Sequence, residues 1–373
     1  VPVNARLHAK EMAYIVSNSG AKVLIHGPEY QEGIAEHIAE FSGLRHRVCT
    51  EAVEGAMPYG ALLDTAAALA APVEVAQTDP CWLFYTSGTT GKPKGATWNH
   101  RTVKVVIMNY LADLHNIQPG ETVLHAAPMS HGSGIIALPA VARGAVNIIF
   151  ESKSFEPKEL FAQVEKLKVS HIAFLAPTQI IKMLEEFVPG EYDLSSLRAI
   201  CFGGAPIYVE HLRNAIKAFG PVFTQLYGQG ESPITITGMS AAETARMAEA
   251  NDPRIGSTGT IRTDVEARVV DENDNEPGTG RVWHLVVGGA TEMKGYWEKP
   301  EETKKKLRPG PVNGEMVLYT GDLCRLDEDG DLYFVGRMDD IIKSRGEKVA
   351  PKEVEAAIYN IPGVEECAVI GVD

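Results

Sequence analysis

Eleven consecutive residues limit what this chain can be: Tyr85-Thr86-Ser87-Gly88-Thr89-Thr90-Gly91-Lys92-Pro93-Lys94-Gly95. They overlap and follow a short apolar run, residues 81–86, that reads as a buried strand. Four Ser/Thr hydroxyls, three glycines and two lysines share this loop. Glycine lets the backbone approach a polyanion closely and turn its N–H groups inward. The hydroxyls add donors, and lysine adds fixed positive charge. Together these groups suit a triphosphate. The spacing is not that of a Walker loop, which needs four residues between its glycines and then Gly-Lys-Ser/Thr. Here two residues separate Gly88 from Gly91, and Pro93 follows Lys92.

The surroundings predict an α/β fold. Apolar runs at 21–26, 81–86, 122–127, 146–150, 171–176, 199–202 and 222–227 alternate with amphipathic helical stretches such as 100–115, 157–168 and 208–219. That alternation implies helices flanking a largely parallel sheet over residues 1–252. The texture changes after Pro253. Residues 265–271 and 281–288 read as a hairpin, and 317–319, 323–326 and 332–335 as further short strands, so 253–338 is expected to be a small antiparallel or barrel-like subdomain. A third unit, 339–373, begins with a strand pair, a helix at 351–359 and a strand at 367–372, and is too short to close a core of its own.

Composition excludes some classes of function. The formal net charge of −14 argues against a nucleic-acid surface, which needs a basic stripe. The five cysteines form no CxxC pair and read as reduced, buried thiols of a cytoplasmic protein. No apolar run is long enough for a transmembrane helix, and no signal peptide opens the chain. The start at Val1, mid-pattern, reads as a cut N-terminus.

The phosphate loop, followed in order by Gly203-Gly204-Ala205-Pro206, Tyr227-Gly228-Gln229-Gly230-Glu231, Tyr319-Thr320-Gly321-Asp322-Leu323 and Gly336-Arg337, resembles the AMP-forming acyl-CoA synthetase superfamily. That superfamily also holds non-ribosomal-peptide adenylation domains and firefly-type luciferases. The resemblance covers essentially all of the chain, while the chain lacks both ends of the family enzyme. It implies a large adenylate-forming N-terminal domain followed by the start of a small α+β C-terminal lid.

The resemblance also implies roles. Thr86, Ser87, Gly88, Thr89, Thr90, Gly91 and Lys94 would hold the phosphates of ATP. Gly204, Ala205 and Pro206 would lie against adenine, with the Tyr227 ring on its other face. Gly228, Gln229 and Gly230 would continue the nucleotide site. Glu231 and Thr86 would hold Mg2+, Asp322 would accept from the ribose hydroxyls, and Arg337 would reach ribose or phosphate. Read alone, Glu231 is a surface acid and Asp322 an ordinary turn acid; only the ordered set raises them. Gly230 departs from the family, which usually has a Thr there touching the α-phosphate.

Pro128-Met129-Ser130-His131-Gly132-Ser133-Gly134 matches the region that partly builds the family's acyl pocket, with His131 where a gating residue stands. A lone histidine is as readily structural. No Asp lies between Ala126 and Ile136 to pair with an α-amino group, which favours a plain carboxylic acid over an amino acid. Asp339 matches the hinge to the lid. Lys343, Arg345, Gly346 and Lys348 match the loop that swings in for thioester formation; they are CoA-phosphate candidates or a solvated basic turn.

The family's adenylation lysine lies near the end of the lid, and no lysine here sits in that context. The implied reaction is carboxylic acid plus ATP to acyl-AMP and pyrophosphate, then acyl transfer to CoA, with Thr86, Lys94, His131 and Glu231 as catalytic candidates. The alternatives are an adenylation domain that loads a carrier protein, or a truncated nucleotide-binding module without turnover.

Overall fold

The computed structural model describes all residues other than 68, 70, 87–90, 153, 311–313, 345–346, 360, 362–363, 365–366 and 372–373. The chain divides into two compact units. One comprises Val1–Arg101 with Met293–Thr303, and the other Thr102–Glu292 with Lys304–Asp373. Among the described residues no helix is long and apolar enough to cross a membrane.

In the first unit, strands β1 (Val23–His26), β2 (His46–Cys49) and β3 (Met57–Pro58) form a small parallel sheet. Ala13 and Val16 of the helix Ala9–Ser19 pack with Ile34 and Phe41 in a local core. Strands β4 (Pro80–Thr86) and β5 (Lys94–Asn99) pair antiparallel, with Thr86 opposite Lys94. The phosphate loop is therefore the tip of a hairpin and does not lead into a helix.

The sequence reading missed β5, whose small, β-branched and aromatic residues suit a buried pleat. Trp98, 1% exposed, stacks on Phe84 with ring centroids 5.0 Å apart, and Trp82 adds a tilted ring at 5.6 Å. These cross-strand aromatic contacts hold the register. The free edge of β5 is covered from far along the chain: Thr97 N–H donates to Gly295 O at 2.9 Å, and Lys294 and Trp297 N–H groups donate to Thr97 O and Gly95 O at 2.8 Å.

The second unit contains strands β6 (Thr122–His125), β7 (Val146–Ile149), β8 (His171–Leu175), β9 (Ala199–Gly203), β10 (Phe223–Tyr227), β11 (Thr237–Met239) and β12 (Thr260–Ile261). They form one sheet in the order β12-β11-β10-β9-β8-β6-β7. Pairing is parallel from β10 to β7 and antiparallel at β11 and β12.

Both faces of the sheet's central strands are buried, which is why they read as apolar runs. Leu124, Ile172, Ile200, Phe202 and Phe223 pack on one face with Leu160, Phe161 and Met183. Val123, Ala173, Cys201 and Leu226 pack on the other with Tyr110 and Ile136. Truncating Phe161, 1% exposed, to alanine should cost about 3–5 kcal/mol.

One irregularity interrupts this alternation. Ile172 pairs with Ile200 and Leu175 with Phe202, so β8 carries one residue more than β9 over that interval. The bulge puts Ala173 and the next residue, Phe174, on the same face, against Tyr110 and Ile136.

Strands β13 (Val265–Val270), β14 (Trp283–Gly289), β15 (Leu307–Pro309), β16 (Met316–Leu326) and β17 (Leu332–Arg337) form the expected antiparallel sheet. The two short strands expected at 317–319 and 323–326 are one strand, β16. It pairs with β14 along one edge, and with β15 and then β17 along the other. Gly321, at φ +79°, lies between the two expected strands, and the register with β17 shifts just after it. That local break is what divided the reading in two.

Strands β18 (Ile342–Ser344) and β19 (Glu347–Val349) form a hairpin before the helix Pro351–Tyr359. Residues 367–371 are not a strand, contrary to expectation; the Val369 N–H donates to the Glu355 side chain at 2.9 Å and not to a strand. The cysteines are free thiols, with Cys49, Cys201 and Cys324 buried, Cys367 half-buried and Cys81 exposed, which corrects the uniform burial expected for them.

Candidate active site

The carboxyl ends of β9 and β10 open onto a cleft, the place where ligands sit in parallel α/β sheets. Its space, counted out to the mouth, is about 800 Å3, within the range of small-ligand clefts. Gly204, Ala205 and Pro206 from the turn after β9 line it, as do Tyr227, Gly228 and Gln229 at the end of β10, and Asp322 and Arg337 from the antiparallel sheet. Eight residues named from the sequence therefore meet in one place. Gly230 and Glu231 follow in the same loop, just outside the lining.

Local backbone explains two of the glycines. Gly204 has φ +77°, the left-handed region that a side chain disfavours. A Cβ at Gly228 would lie 2.6 Å from Ile234 N. The loop between them folds back on itself: Gln229 N–H donates to Ser232 O at 2.9 Å, and buried Ser232 bonds Thr291 at 3.2 Å. Ile234 ends it at φ +47°, with Thr235 N–H donating to Pro233 O at 2.7 Å. This is a γ-turn in its strained form, at a cost of about 1–3 kcal/mol for a β-branched residue.

Asp322 is the electrostatic centre. It is 2% exposed and both of its carboxylate oxygens are engaged. Arg337, its cross-strand neighbour on β17, donates to Oδ1 at 2.8 Å. The Tyr227 hydroxyl and the Gln229 amide donate to Oδ2 at 2.5 and 2.6 Å. Its backbone N–H donates to Thr320 Oγ1 at 3.1 Å, and Lys306 Nζ donates to Thr320 O at 2.8 Å. Burial pushes the Asp322 carboxyl above its ordinary value, against the opposite pull of Arg337, Tyr227, Gln229 and Lys306. Burial also pushes the Tyr227 hydroxyl well above the usual tyrosine range, reinforced by the nearby Cys324 and Asp322.

Sequence reasoning missed Gln225 and Phe334, which also line the cleft. The Gln225 side-chain oxygen is buried and has no hydrogen-bond partner among the described residues. An orphaned acceptor in a cleft is costly unless a ligand satisfies it. Its position two residues before Tyr227 on the same strand was the available signal. The Phe334 ring lies 6.2 Å from the Tyr227 ring.

In the first unit, Thr86 ends β4 and Lys94 opens β5 opposite it. Gly91 has φ +120°. Ser87, Gly88, Thr89 and Thr90 lie outside the described residues. Lys94 is not an open charge: its Nζ lies 3.2 Å from Glu302 Oε2 and 4.9 Å from the Tyr296 ring centre. Tyr85 donates its hydroxyl to Asn18 Oδ1 at 2.7 Å, which ties the loop's first residue to the N-terminal helix.

His131, in the second unit, is exposed and immediately precedes the helix Gly132–Ala142, with its Nδ1 2.9 Å from Ser130 Oγ. The histidine that organises this corner is another, His125, which is buried. Its ring nitrogens lie 2.9 Å from Ser133 Oγ and 2.7 Å from Asn147 Oδ1. Since the Asn147 oxygen accepts, Nε2 carries the proton and Nδ1 accepts from Ser133. His125 thereby clamps the helix start to β7. Asp339 sits in a short 3-10 turn after β17, and Lys343 and Lys348 are paired across the β18–β19 hairpin. Arg345 and Gly346 lie outside the described residues.

Residues 1–297 match the family model described as AMP-binding enzyme. The chain is 35% identical to a feruloyl-CoA synthase of Amycolatopsis sp., with all of this chain and 70% of that protein covered. It is 29% identical to the medium/long-chain-fatty-acid–CoA ligase FadD8 of Mycobacterium tuberculosis, over 96% of this chain and 62% of that one. Its fold is similar to that of the anthranilate CoA ligase AuaEII in complex with anthranoyl-AMP, at a TM-score of 0.87 and 25% identity, covering 100% of this chain and 69% of the other.

Proposed function

Since the chain belongs to the AMP-binding enzyme family, we propose that it activates a carboxylic acid with ATP to an acyl-adenylate and hands the acyl group to CoA. The convergence of Gly204, Tyr227, Asp322 and Arg337 on one cleft carries this reading. A nucleoside satisfies what that cleft leaves open. Adenine's amino group can donate to the orphaned Gln225 oxygen, and the flat walls of the Gly204 turn and Tyr227 suit a ring, where stacking contributes about 1–3 kcal/mol. Asp322 and Arg337 present an acceptor and a cation for the ribose and α-phosphate.

The acid's carboxylate attacks the α-phosphorus and pyrophosphate leaves. The protein's work is to position the reactants and neutralise charge. Lys94 and the hairpin tip are assigned to the departing pyrophosphate, with Lys94 exchanging Glu302 for phosphate oxygens. The Glu231 carboxylate and Thr86 hydroxyl are hard oxygen donors that fit Mg2+, which would neutralise phosphate charge when bound. The loop Pro128–Gly134 is assigned to the acyl group, and Asp339 to the hinge of a lid carrying Lys343, Arg345, Gly346 and Lys348 toward CoA. The three-part division at 253 and 339, and a cytoplasmic setting, belong to the same proposal.

The test is pyrophosphate release with a panel of carboxylic acids, scored with and without CoA. Uncharged acyl or aryl acids should exceed their α-amino counterparts by about 10²-fold or more, because an unpaired ammonium in an apolar pocket costs several kcal/mol. Efficient activation of a free amino acid, with transfer to a carrier protein instead of CoA, would replace this reading with the peptide-synthetase one.

A further inference from the structure

Strand β16 has a gap along one edge. β15 pairs with it as far as Leu318 and β17 takes over at Asp322, so among the described residues no strand covers that edge at Thr320 and Gly321. Thr320 is fully buried, and a buried backbone carbonyl in such a gap needs donors from elsewhere. Thr320 O receives two: Lys306 Nζ at 2.8 Å and Gln229 Nε2 at 3.3 Å. Lys306 ends the helix Pro300–Lys306, which runs into β15 with no loop between them, and Leu307 pairs with Leu318. That join delivers the lysine to the gap.

The ammonium meets more than a carbonyl there. A Cβ added to Gly321 would lie 2.9 Å from Lys306 Nζ and 3.9 Å from Arg337 Nη2, so two cations converge on one side of this residue. The next residue is Asp322, and Arg337 donates to its Oδ1 at 2.8 Å. Gln229 donates both to Thr320 O and to Asp322 Oδ2, which ties the two acceptors together. A neutral donor suffices for a carbonyl, and Gln229 supplies one. The charge of Lys306 has a second object. Burial raises the Asp322 carboxyl, and Arg337, Tyr227, Gln229 and Lys306 pull it back. Of these four, only Arg337 and Lys306 bring positive charge.

We propose that Lys306 is a positioning residue of the nucleoside site, fixing the Thr320–Gly321 backbone and adding a second positive charge beside the carboxylate that accepts from the ribose. The proposal rests on the reading that this cleft holds a nucleotide. Lys306 lies outside the residues that line the cleft, so its effect reaches the ligand through Asp322.

The experiment compares wild type with Lys306→Met, Lys306→Gln and Lys306→Arg by calorimetry. The ligands are AMP and its 2′,3′-dideoxy analogue, which lacks both ribose hydroxyls, titrated across about pH 5–8. The two neutral variants should bind AMP about three- to tenfold more weakly, the range of one hydrogen bond, and the dideoxy analogue within about twofold of wild type. The ratio of AMP to dideoxy affinity therefore falls. On acidification, their AMP affinity should begin to decline at a higher pH than in wild type, because Asp322 has lost a cation that favours its ionised form. Lys306→Arg keeps the charge and should restore both the ratio and the acid limb.

An unchanged ratio, or an unmoved acid limb, in a neutral variant that still binds AMP overturns the proposal. So do equal losses for AMP and the dideoxy analogue, which would make Lys306 a support for the turn only. If Lys306→Met does not fold, the Gln variant decides alone, since it keeps a donor for Thr320 O. Wild-type protein that does not distinguish AMP from the dideoxy analogue would instead sink the ribose role of Asp322, and the proposal with it.

Discussion

The phosphate hairpin and the nucleoside cleft each carry an ion pair, and the two pairs are built on opposite plans. In the hairpin the cation is the proposed recognition group: Lys94, with 14% of its side chain exposed, leans on Glu302, 31% exposed. Its partner is a single carboxylate at a half-open site, which an anionic ligand can replace. In the cleft the proposed recognition group is the anion. Asp322, 2% exposed, is held by Arg337, Tyr227 and Gln229 at once. A carboxylate with three donors is fixed in direction before any ligand arrives. The hairpin is organised for exchange and the cleft for preorganisation, which suits a product that leaves and a nucleoside that stays.

The sharpest break of this contrast is Asp322→Asn. Losing the charge should weaken AMP by about 2–3 kcal/mol, the worth of a charge-assisted hydrogen bond. Stability should behave differently. Burial raises the folded-state pKa of Asp322, so folding favours its protonated form. That contribution is complete below the unfolded pKa and is lost as pH rises through the folded one. Above that pH a neutral Asn relieves a burial cost, so melting temperature should hold or rise while AMP affinity falls. The same direction predicts that wild-type AMP affinity begins to decline, on acidification, at a higher pH than an ordinary aspartate would give. A clear drop in melting temperature with AMP affinity intact would make Asp322 structural.

Lys94→Ala probes the other side. It should weaken ATP by about 1.4 kcal/mol, a factor of ten, and leave AMP unchanged, because AMP lacks the phosphates assigned to the hairpin. Its cost in stability should stay at or below about 1 kcal/mol, since the pair is partly exposed. Equal losses for ATP and AMP would erase the division of labour.

Gly230→Thr sharpens the cleft. Restoring a hydroxyl beside the α-phosphate should tighten AMP by about 0.5–1.5 kcal/mol, one hydrogen bond's worth, and calorimetry that finds no binding would show that this loop has repacked. Glu302→Gln should have the smallest effect, tightening ATP by about 0.4–1 kcal/mol by removing the competitor for Lys94. Weaker ATP binding in that variant would mean that Glu302 orients the lysine for its ligand.

What could be read in advance follows from the range of the interactions. The loop proposed to hold phosphates stood out because its chemistry is local: hydroxyls, glycines and lysines within one string. The parallel sheet was legible because strands buried on both faces are apolar from end to end. Strand β5 was not, since its pairing with 294–297 is long-range and its helix-like start at His100 overshadowed it. Asp322 could be found only through the ordered set, because nothing near it in sequence announces Tyr227 or Gln229 as partners. Phe174 was invisible: an aromatic residue inside an apolar run looks like core, and the bulge that turns it exists only in the pairing with β9. Lys94 could be singled out from its loop, but its bond to Glu302 spans most of the chain and could not.

That last distance bears on how the protein is made. The first unit is discontinuous: its hairpin is completed by Met293–Thr303, roughly 190 residues after Arg101. On a ribosome adding about 5–20 residues per second, the edge of β5 waits about 10–40 s for its cover. During that interval Trp98 and its neighbours present an unpaired strand edge, the kind of surface that invites misassembly and chaperone capture. The second unit, beginning at Thr102, has its parallel sheet available first. The order of synthesis therefore favours completing the nucleoside cleft's sheet before the phosphate hairpin, and the last β5 bonds to form should be those at Gly95, Thr97 and Gly295.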